Sequence, residues 1–198
     1  MGFKSKSSEG NQWLKDRQGF EEDLLAAADD ASIVYESALE LLKSIQNFWK
    51  GVGEDERKHP YGKASKAVKV YSVGMKAPTN AFARAAEQFD KFYGTCEALK
   101  EHIGSTVLAK LMSFKDIECK ELDQNMSMLK KAHADYYKKK KGNAEPVVLE
   151  AAETSYKKLV EDAKERLAKF NKAGFELMTQ MSADMKTGFD TYCESGSA

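Results

Sequence analysis

Apolar residues recur every seven positions along most of this chain, and this period decides what the chain can fold into. From Phe20 one series runs to Phe48 in steps of seven, and a second series starts at Leu24. An offset of four residues between the two series is the a/d pattern of a helix that packs in a coiled-coil manner. Similar series start at Phe82 and Leu149. The period predicts an all-α protein built from long helices.

Glycine and proline divide this pattern into three helical elements. Three glycines and Pro60 interrupt the first element, and Pro78 ends it. Gly142, Asn143 and Pro146 form a helix stop and restart. We therefore expect a flexible segment at 1–12, a helical domain at 13–193 and a flexible tail at 194–198. The helices are predicted at about 13–77 with a break at 51–62, at about 79–141 and at about 145–193.

The second predicted helix is unusually long. If it is helical throughout, about 63 residues extend roughly 95 Å at about 1.5 Å per residue. Its apolar register shifts past Gly104, which indicates local bending or a change of packing partner. Its apolar stripe is wide, with adjacent aromatic residues at 92–93 and 136–137. A wide stripe on a thin three-helix unit requires a further helix, so we expect an elongated antiparallel three-helix coiled coil that dimerises.

Positive charge is concentrated where the second helix ends. The whole chain is neutral, with 31 Lys and Arg residues against 31 Asp and Glu residues, but residues 128–142 contain six lysines and one acid, Asp135, a local charge of +5. Each lysine near an anionic bilayer contributes about 1 kcal/mol of attraction, which salt weakens. The alternative interpretation is that these lysines complement the helix dipole. The candidate membrane-binding residues are Lys130, Lys131, Lys138, Lys139, Lys140 and Lys141.

Two further groups of lysines are weaker candidates for the same surface. One has a spacing of three, which keeps its members roughly on one helix face, and a solvated surface is the competing interpretation. The other follows the restart of the third helix and would extend the basic surface near the turn. The two groups are Lys63, Lys66 and Lys69, and Lys157 and Lys158.

The N-terminal stretch contains three aromatic residues, Phe3, Trp13 and Phe20. They are candidates for a helix that wedges into a membrane. A disordered tail is the competing interpretation, because the Ser- and Gly-rich start forms helix poorly.

Taken in order, three segments of the chain resemble the helices of a BAR domain, the crescent-shaped dimeric module of the amphiphysin and arfaptin type that binds curved membranes. The acidic opening FEEDLLAAADDASIVYESALELLKSIQNFWK is similar to the first helix. The segment LAKLMSFKDIECKELDQNMSMLKKAHADYYKKKKG is similar to the second, and VVLEAAETSYKKLVEDAKERLAKF to the third. The resemblance covers residues 13–193. Spectrin-like repeats share the seven-residue period, but their helices are shorter.

The resemblance implies an antiparallel homodimer with a curved six-helix centre and two arms. It also implies a concave basic face, with the turn between the second and third helices at each arm tip. A protein of this kind is expected in the cytoplasm and on the periphery of the plasma membrane or endosomes, in endocytosis and membrane trafficking.

The sequence contains no catalytic or metal-binding motif. The three histidines lie far apart without an HExxH pair, and neither GxxxxGK[ST] nor GxGxxG occurs. We expect no enzyme activity, cofactor or metal. Three widely spaced cysteines fit free thiols in a reducing compartment. No apolar stretch approaches the length of a membrane span.

The predicted function is therefore a membrane-binding homodimer that senses or induces curvature on anionic phospholipid membranes rich in phosphatidylserine or phosphoinositides. The alternative is a dimeric helical scaffold that binds a protein partner, such as a small GTPase or a cytoskeletal component, without sculpting membrane. Nucleic acid is not expected as a partner, because basic and aromatic residues interleave only near residues 136–137.

Overall fold

A computed structural model describes residues 13–14, 17–52, 59–74 and 80–197. These ranges contain helices and turns but no strand, so the predicted all-α class is confirmed for them. Their four helices are α1 (Glu22–Val52), α2 (Pro60–Gly74), α3 (residues 80–141) and α4 (Pro146–Ser197). None of the helices in these ranges combines the length and the apolar character that crossing a bilayer requires.

Helix α3 is continuous, but two π-helical turns interrupt its α-helical winding. Each π-turn accommodates an extra residue and so rotates the helix faces that follow it. The first π-turn lies where the apolar register of the sequence shifts. The successive segments of α3 are Asn80–Ile103 (α), Gly104–Leu108 (π), Ala109–Phe114 (α), Lys115–Cys119 (π) and Lys120–Lys141 (α).

Helix α1 starts at Glu22 and not near residue 13 as the sequence predicted. Before it, the chain turns: the Phe20 N–H donates to the Arg17 carbonyl oxygen at 3.4 Å, and Gly19 has a φ of +84°. A right-handed helix cannot pass through a residue with positive φ. This turn therefore sets the start of α1.

The remaining boundaries follow proline and glycine. Helix α1 ends at Val52 and α2 begins at Pro60, both inside the break predicted at 51–62, of which residues 53–58 lie outside the described part of the chain. The break predicted near 77–79 and the segment 1–12 also lie outside it. Helix α4 continues to Ser197, into the segment predicted as a tail from 194.

The chain divides into two compact units. The first unit combines the described residues up to Leu39 with Ser113–Leu177. Within it, the rings of Phe114 and Phe170 lie 5.1 Å apart, and those of Tyr136 and Tyr156 lie 5.6 Å apart. As residue numbers rise along α3, the numbers of the α4 residues in contact with them fall. The two helices therefore run antiparallel here. Its core includes Leu24, Ala28, Ala31, Leu122, Met126, Leu129, Ala163 and Leu167.

The second unit combines the described residues of Glu40–Met112 with those from Met178 onward. Helix α2 packs on α3 there, with the Tyr61 and Phe92 rings 5.5 Å apart. Helix α4 also contacts α3, because Lys110 Nζ lies 2.6 Å from an Asp184 carboxylate oxygen. Its core includes Leu42, Ala86, Ile103, Val107, Leu111 and Met181.

Candidate functional site: the lysine surface at the α3–α4 turn

The turn between α3 and α4 is closed by backbone hydrogen bonds. Gly142 ends α3 and donates its N–H to the Lys138 carbonyl oxygen at 3.0 Å. The Ala144 N–H donates to the Lys139 carbonyl oxygen at 3.1 Å, and Asn143 between them has a φ of +49°. This is the arrangement of a Schellman cap, with asparagine in the left-handed position that glycine usually takes. The cap holds the lysine-rich end of α3 in one geometry.

Helix α4 begins directly after this cap. Glu145 accepts the N–H groups of Val148 and Leu149, each at 3.0 Å, on its carbonyl oxygen. Pro146 fits the first helical position, because its missing N–H would have no partner there in any helix. A stop and a restart within four residues place the last turn of α3 beside the first turn of α4.

Four of the six candidate lysines share one face of α3, which we call the lysine face. At about 100° of rotation per residue they fall within an arc of about 100°, roughly opposite the buried residues of the same helix. All four are exposed, and none has a carboxylate ion-pair partner among the described side chains. They are Lys130, Lys131, Lys138 and Lys141.

The other two lysines of the cluster make local contacts. Lys139 Nζ lies 2.7 Å from a carboxylate oxygen of Asp135, one helical turn earlier. Lys140 Nζ lies over the rings of Tyr136 and Tyr137, at 5.5 and 6.0 Å from their centroids. Such cation–π contacts hold a charge near an aromatic face without neutralising it.

The first turns of α4 add charge of both signs. Lys157 pairs with Glu153 at 2.7 Å, and this carboxylate raises the pKa of the Lys157 ammonium above its ordinary value. Lys158 is exposed. Residues 130–158 contain eight lysines and four acids, a net charge of +4. The unit is therefore basic around the turn, although the chain is neutral.

The remaining candidates lie in the second unit, on α2. Lys63 and Lys66 are exposed, and Lys69 pairs with Asp90 of α3 at 2.7 Å. Because Lys69 has a partner one helix away, its charge is partly compensated within its own unit.

A cluster of aromatic rings lies beneath the lysine surface, by which we mean the six candidate lysines of α3 together with Lys157 and Lys158 of α4. The His133 ring stacks on Phe20 with centroids 4.1 Å apart and lies 4.5 Å from the Tyr137 ring. Tyr156 donates its hydroxyl to the Gly19 carbonyl oxygen at 3.2 Å. The segment before α1 is thus packed against the last turns of α3 and the first turns of α4.

This packing corrects the interpretation of Trp13 and Phe20 as residues that wedge into a membrane. Trp13 is 8% exposed, and its indole N–H donates to Asp123. Phe20 is half-buried against His133. Both rings have partners inside the first unit, while Phe3 lies outside the described residues. The local composition did not reveal this, because the partners are more than 100 positions away along the chain.

The structure also reveals two exposed apolar residues at the turn. Val147 is 76% exposed and Val148 is 42% exposed. The available signal was their position directly after Pro146 and before Leu149, the first residue of the seven-residue series in α4.

No protein-family model matches the chain, and a search of curated proteins returns no matching sequence. Among the described residues, no group of three or more His, Cys, Asp and Glu side chains is placed to hold a metal ion. The lysine surface at the α3–α4 turn is the candidate functional site of the described residues.

Proposed function

We propose that this protein binds anionic phospholipid membranes through the lysine surface at the α3–α4 turn. The single observation that supports the proposal is the lysine face: four exposed lysines without ion-pair partners in the described structure, on the side of α3 opposite its buried residues. Each contributes about 1 kcal/mol near an anionic leaflet. Phosphatidylserine and phosphoinositides are the proposed headgroups.

The BAR-like reading of the sequence extends this proposal to a homodimer that presents two such turns and senses or induces curvature. The wide apolar stripes support pairing, as does the large apolar side chain of Phe175, which is 73% exposed. Two linked binding surfaces would raise the overall affinity without any new contact. A solution mass of twice 22.1 kDa is the expected result of light scattering.

A second candidate function is a protein-binding scaffold, and the charge distribution along α4 favours it. Lys164 pairs with Glu21 and Asp23 at 2.5 and 2.9 Å, and Lys169 pairs with Glu165 at 2.5 Å. The basic surface of the first unit is therefore confined to the region of the turn. A protein partner with a small acidic patch would fit such a surface.

Co-sedimentation with liposomes tests the membrane proposal. The native chain is compared on neutral liposomes and on liposomes rich in phosphatidylserine or phosphoinositides, at low and high salt. The test variant changes the lysine face to glutamine (K130Q/K131Q/K138Q/K141Q). The matched control removes four exposed lysines that pair with acids on their own helices (K120Q/K169Q/K172Q/K186Q).

We expect salt-sensitive binding of the native chain to anionic liposomes only. The test variant should lose up to about a thousandfold in affinity, because four lysines contribute about 1 kcal/mol each. The control variant should lose much less, although its net charge changes by the same amount. Equal losses in the two variants would show that net charge and not the lysine face governs binding. No binding to any anionic liposome would favour the protein scaffold.

A further inference from the structure

Val147 and Val148 form an exposed apolar pair in the first turn of α4, which begins five residues after the lysine-rich end of α3. Val147 is, at 76%, the most exposed of the large apolar side chains in the described residues, and Val148 is 42% exposed. Pro146 before them is exposed as well. The core of the first unit leaves both valine side chains in water, where they can contact a second surface.

We propose that Val147 and Val148 insert into the boundary between headgroups and acyl chains when the lysine surface meets an anionic bilayer. The inference rests on the proposed function and adds a second, apolar component to it. Charge complementarity favours a bilayer as the binding partner of this turn, because Lys138 and Lys141 at the end of α3 attract a surface that is anionic outside and apolar beneath.

The backbone of the turn suits a place at the edge of the hydrocarbon layer. An unpaired N–H or C=O is costly there, because no water is present to hydrogen-bond with it. Pro146 has no N–H, and the N–H groups of Gly142, Ala144, Val148 and Leu149 all donate to carbonyl oxygens within the turn region. Over residues 142–149, these four N–H groups can leave bulk water paired, while those of Asn143, Glu145 and Val147 need acceptors at the level of the headgroups.

Two acids limit how deep the turn can enter. Glu145 and Glu150 flank the valine pair, and both are exposed. Burying their carboxylates, or bringing them against anionic headgroups, is unfavourable. The valine side chains therefore enter while the acids stay at the level of the headgroups, and long lysine side chains reach the phosphates from there.

The two components differ in their response to salt, which makes them separable. Ions screen the attraction of the lysines, whereas the transfer of valine side chains out of water does not depend on charge. At high salt, the valine pair should account for a larger share of the remaining binding.

The test compares V147S/V148S with I33S on phosphatidylserine vesicles at low and high salt. Ile33 is a suitable control because it is 65% exposed in the same unit and lies among acids, with Asp29, Asp30 and Glu36 nearby in α1. We expect the valine variant to lose about tenfold in affinity at both salt concentrations. I33S should bind like the native chain. Urea unfolding of each variant verifies that the fold is intact.

A second measurement reports insertion directly. In V147W the new indole should shift its emission to the blue on vesicles and be quenched by brominated acyl chains, whereas I33W should show neither change. The native chain, with Trp13 and Trp49, supplies the baseline.

The outcomes separate this inference from the proposed function. Salt-sensitive binding of the native chain together with unchanged V147W emission and unchanged V147S/V148S affinity would overturn insertion and leave the proposed function standing. A V147W shift that appears only with a protein partner would also overturn insertion. Failure of the native chain to bind anionic vesicles would overturn both.

Discussion

The indole N–H of Trp13 donates to a carboxylate oxygen of Asp123 at 2.7 Å, across 110 positions of sequence. The other carboxylate oxygen of Asp123 accepts the Tyr35 hydroxyl at 3.0 Å. The Trp13 and Tyr35 rings meet edge to face, with centroids 5.5 Å apart. One carboxylate on α3 thus joins the segment before α1 to α1 itself.

Replacing Asp123 should therefore destabilise the first unit. D123A leaves the indole and hydroxyl donors without an acceptor, and we expect a loss of about 2 kcal/mol in the free energy of unfolding. D123N should lose less, because its amide oxygen still accepts one of the two hydrogen bonds. Urea denaturation measures both, with D162A as control: Asp162 is exposed, so its removal should change stability by less than about 0.5 kcal/mol. Equal stability of D123A and D162A would contradict the linking role.

The raised pKa values of two tyrosines determine how the free energy of unfolding should change at alkaline pH. Burial, followed by the hydrogen bond to Asp123, raises the pKa of Tyr35 to about 12 from 10.0. Burial, followed by the neighbouring Tyr137, raises the pKa of Tyr156 to about 12. Because the folded state holds these protons more tightly, the stabilisation is fully present below pH 10 and is lost as pH rises from about 10 to about 12.

Unfolding by urea between pH 8 and pH 12 would check this dependence. The double variant Y35F/Y156F should start from a lower stability, because two hydrogen bonds are lost, but decline less steeply above about pH 10. A decline of the same steepness in the variant would assign the alkaline loss to other groups.

Replacing Gly19 or Gly94 by alanine should change the free energy of unfolding in opposite directions. At Gly19 the φ is +84°, and an added Cβ would lie 2.3 Å from Tyr137 Oη. We expect G19A to lose about 1–3 kcal/mol in the free energy of unfolding. At Gly94, inside α3, an added Cβ meets nothing within 4 Å. We expect G94A to gain about 0.5–1 kcal/mol, because alanine favours helix. Thermal unfolding of the two variants would check both signs, and a stabilised G19A would contradict the turn described here.

Arg166 should stabilise the second π-turn of α3. Its guanidinium donates to the Glu118 carboxylate at 2.8 Å and to the Glu118 carbonyl oxygen at 3.3 Å, and lies 2.9 Å from Glu121. We expect R166M to lose about 2 kcal/mol of stability, since it leaves a partly buried carboxylate unpaired.

Amide hydrogen exchange provides the specific readout for Arg166. In R166M, exchange should accelerate at residues 115–123 more than at the α3–α4 turn. R17M serves as control, because Arg17 forms an exposed ion pair with Asp29 at 2.6 Å and should contribute little. Uniform acceleration along α3 would contradict a local role at the π-turn.

How far the sequence predicted this structure depended on the range of the interactions. The stop at Gly142 and the restart at Pro146 lie where they were expected, because caps depend on neighbouring residues. Leu24, Ala31 and Ala38 are buried as the period of seven indicated. In α3 the buried positions step by five from Phe114 to Cys119, which is 2% exposed, while Ile117 between them is 51% exposed, because this segment winds as a π-turn.

In the candidate site too, features set by neighbouring residues were predicted and contacts between distant residues were not. The lysines were visible as a run of residues, and their arrangement on one helix face follows from helical geometry. The packing of Phe20 on His133 and of Trp13 on Asp123 had no local signal, because each contact spans more than 100 residues. An apolar ring near an N-terminus looks the same in sequence whether it enters a membrane or a distant aromatic cluster. Only tertiary structure distinguishes the two.

The lysine face lies on the side of α3 that the core does not use, and this has a consequence for variation. Residues such as Lys130 and Lys141 are exposed, so their replacement changes little in the free energy of unfolding. Mutations there would be tolerated by the fold. Under the proposed function, such a chain could acquire a new headgroup preference, or lose one, within a few substitutions, while Leu122, Met126 and Leu129 keep the helix in place.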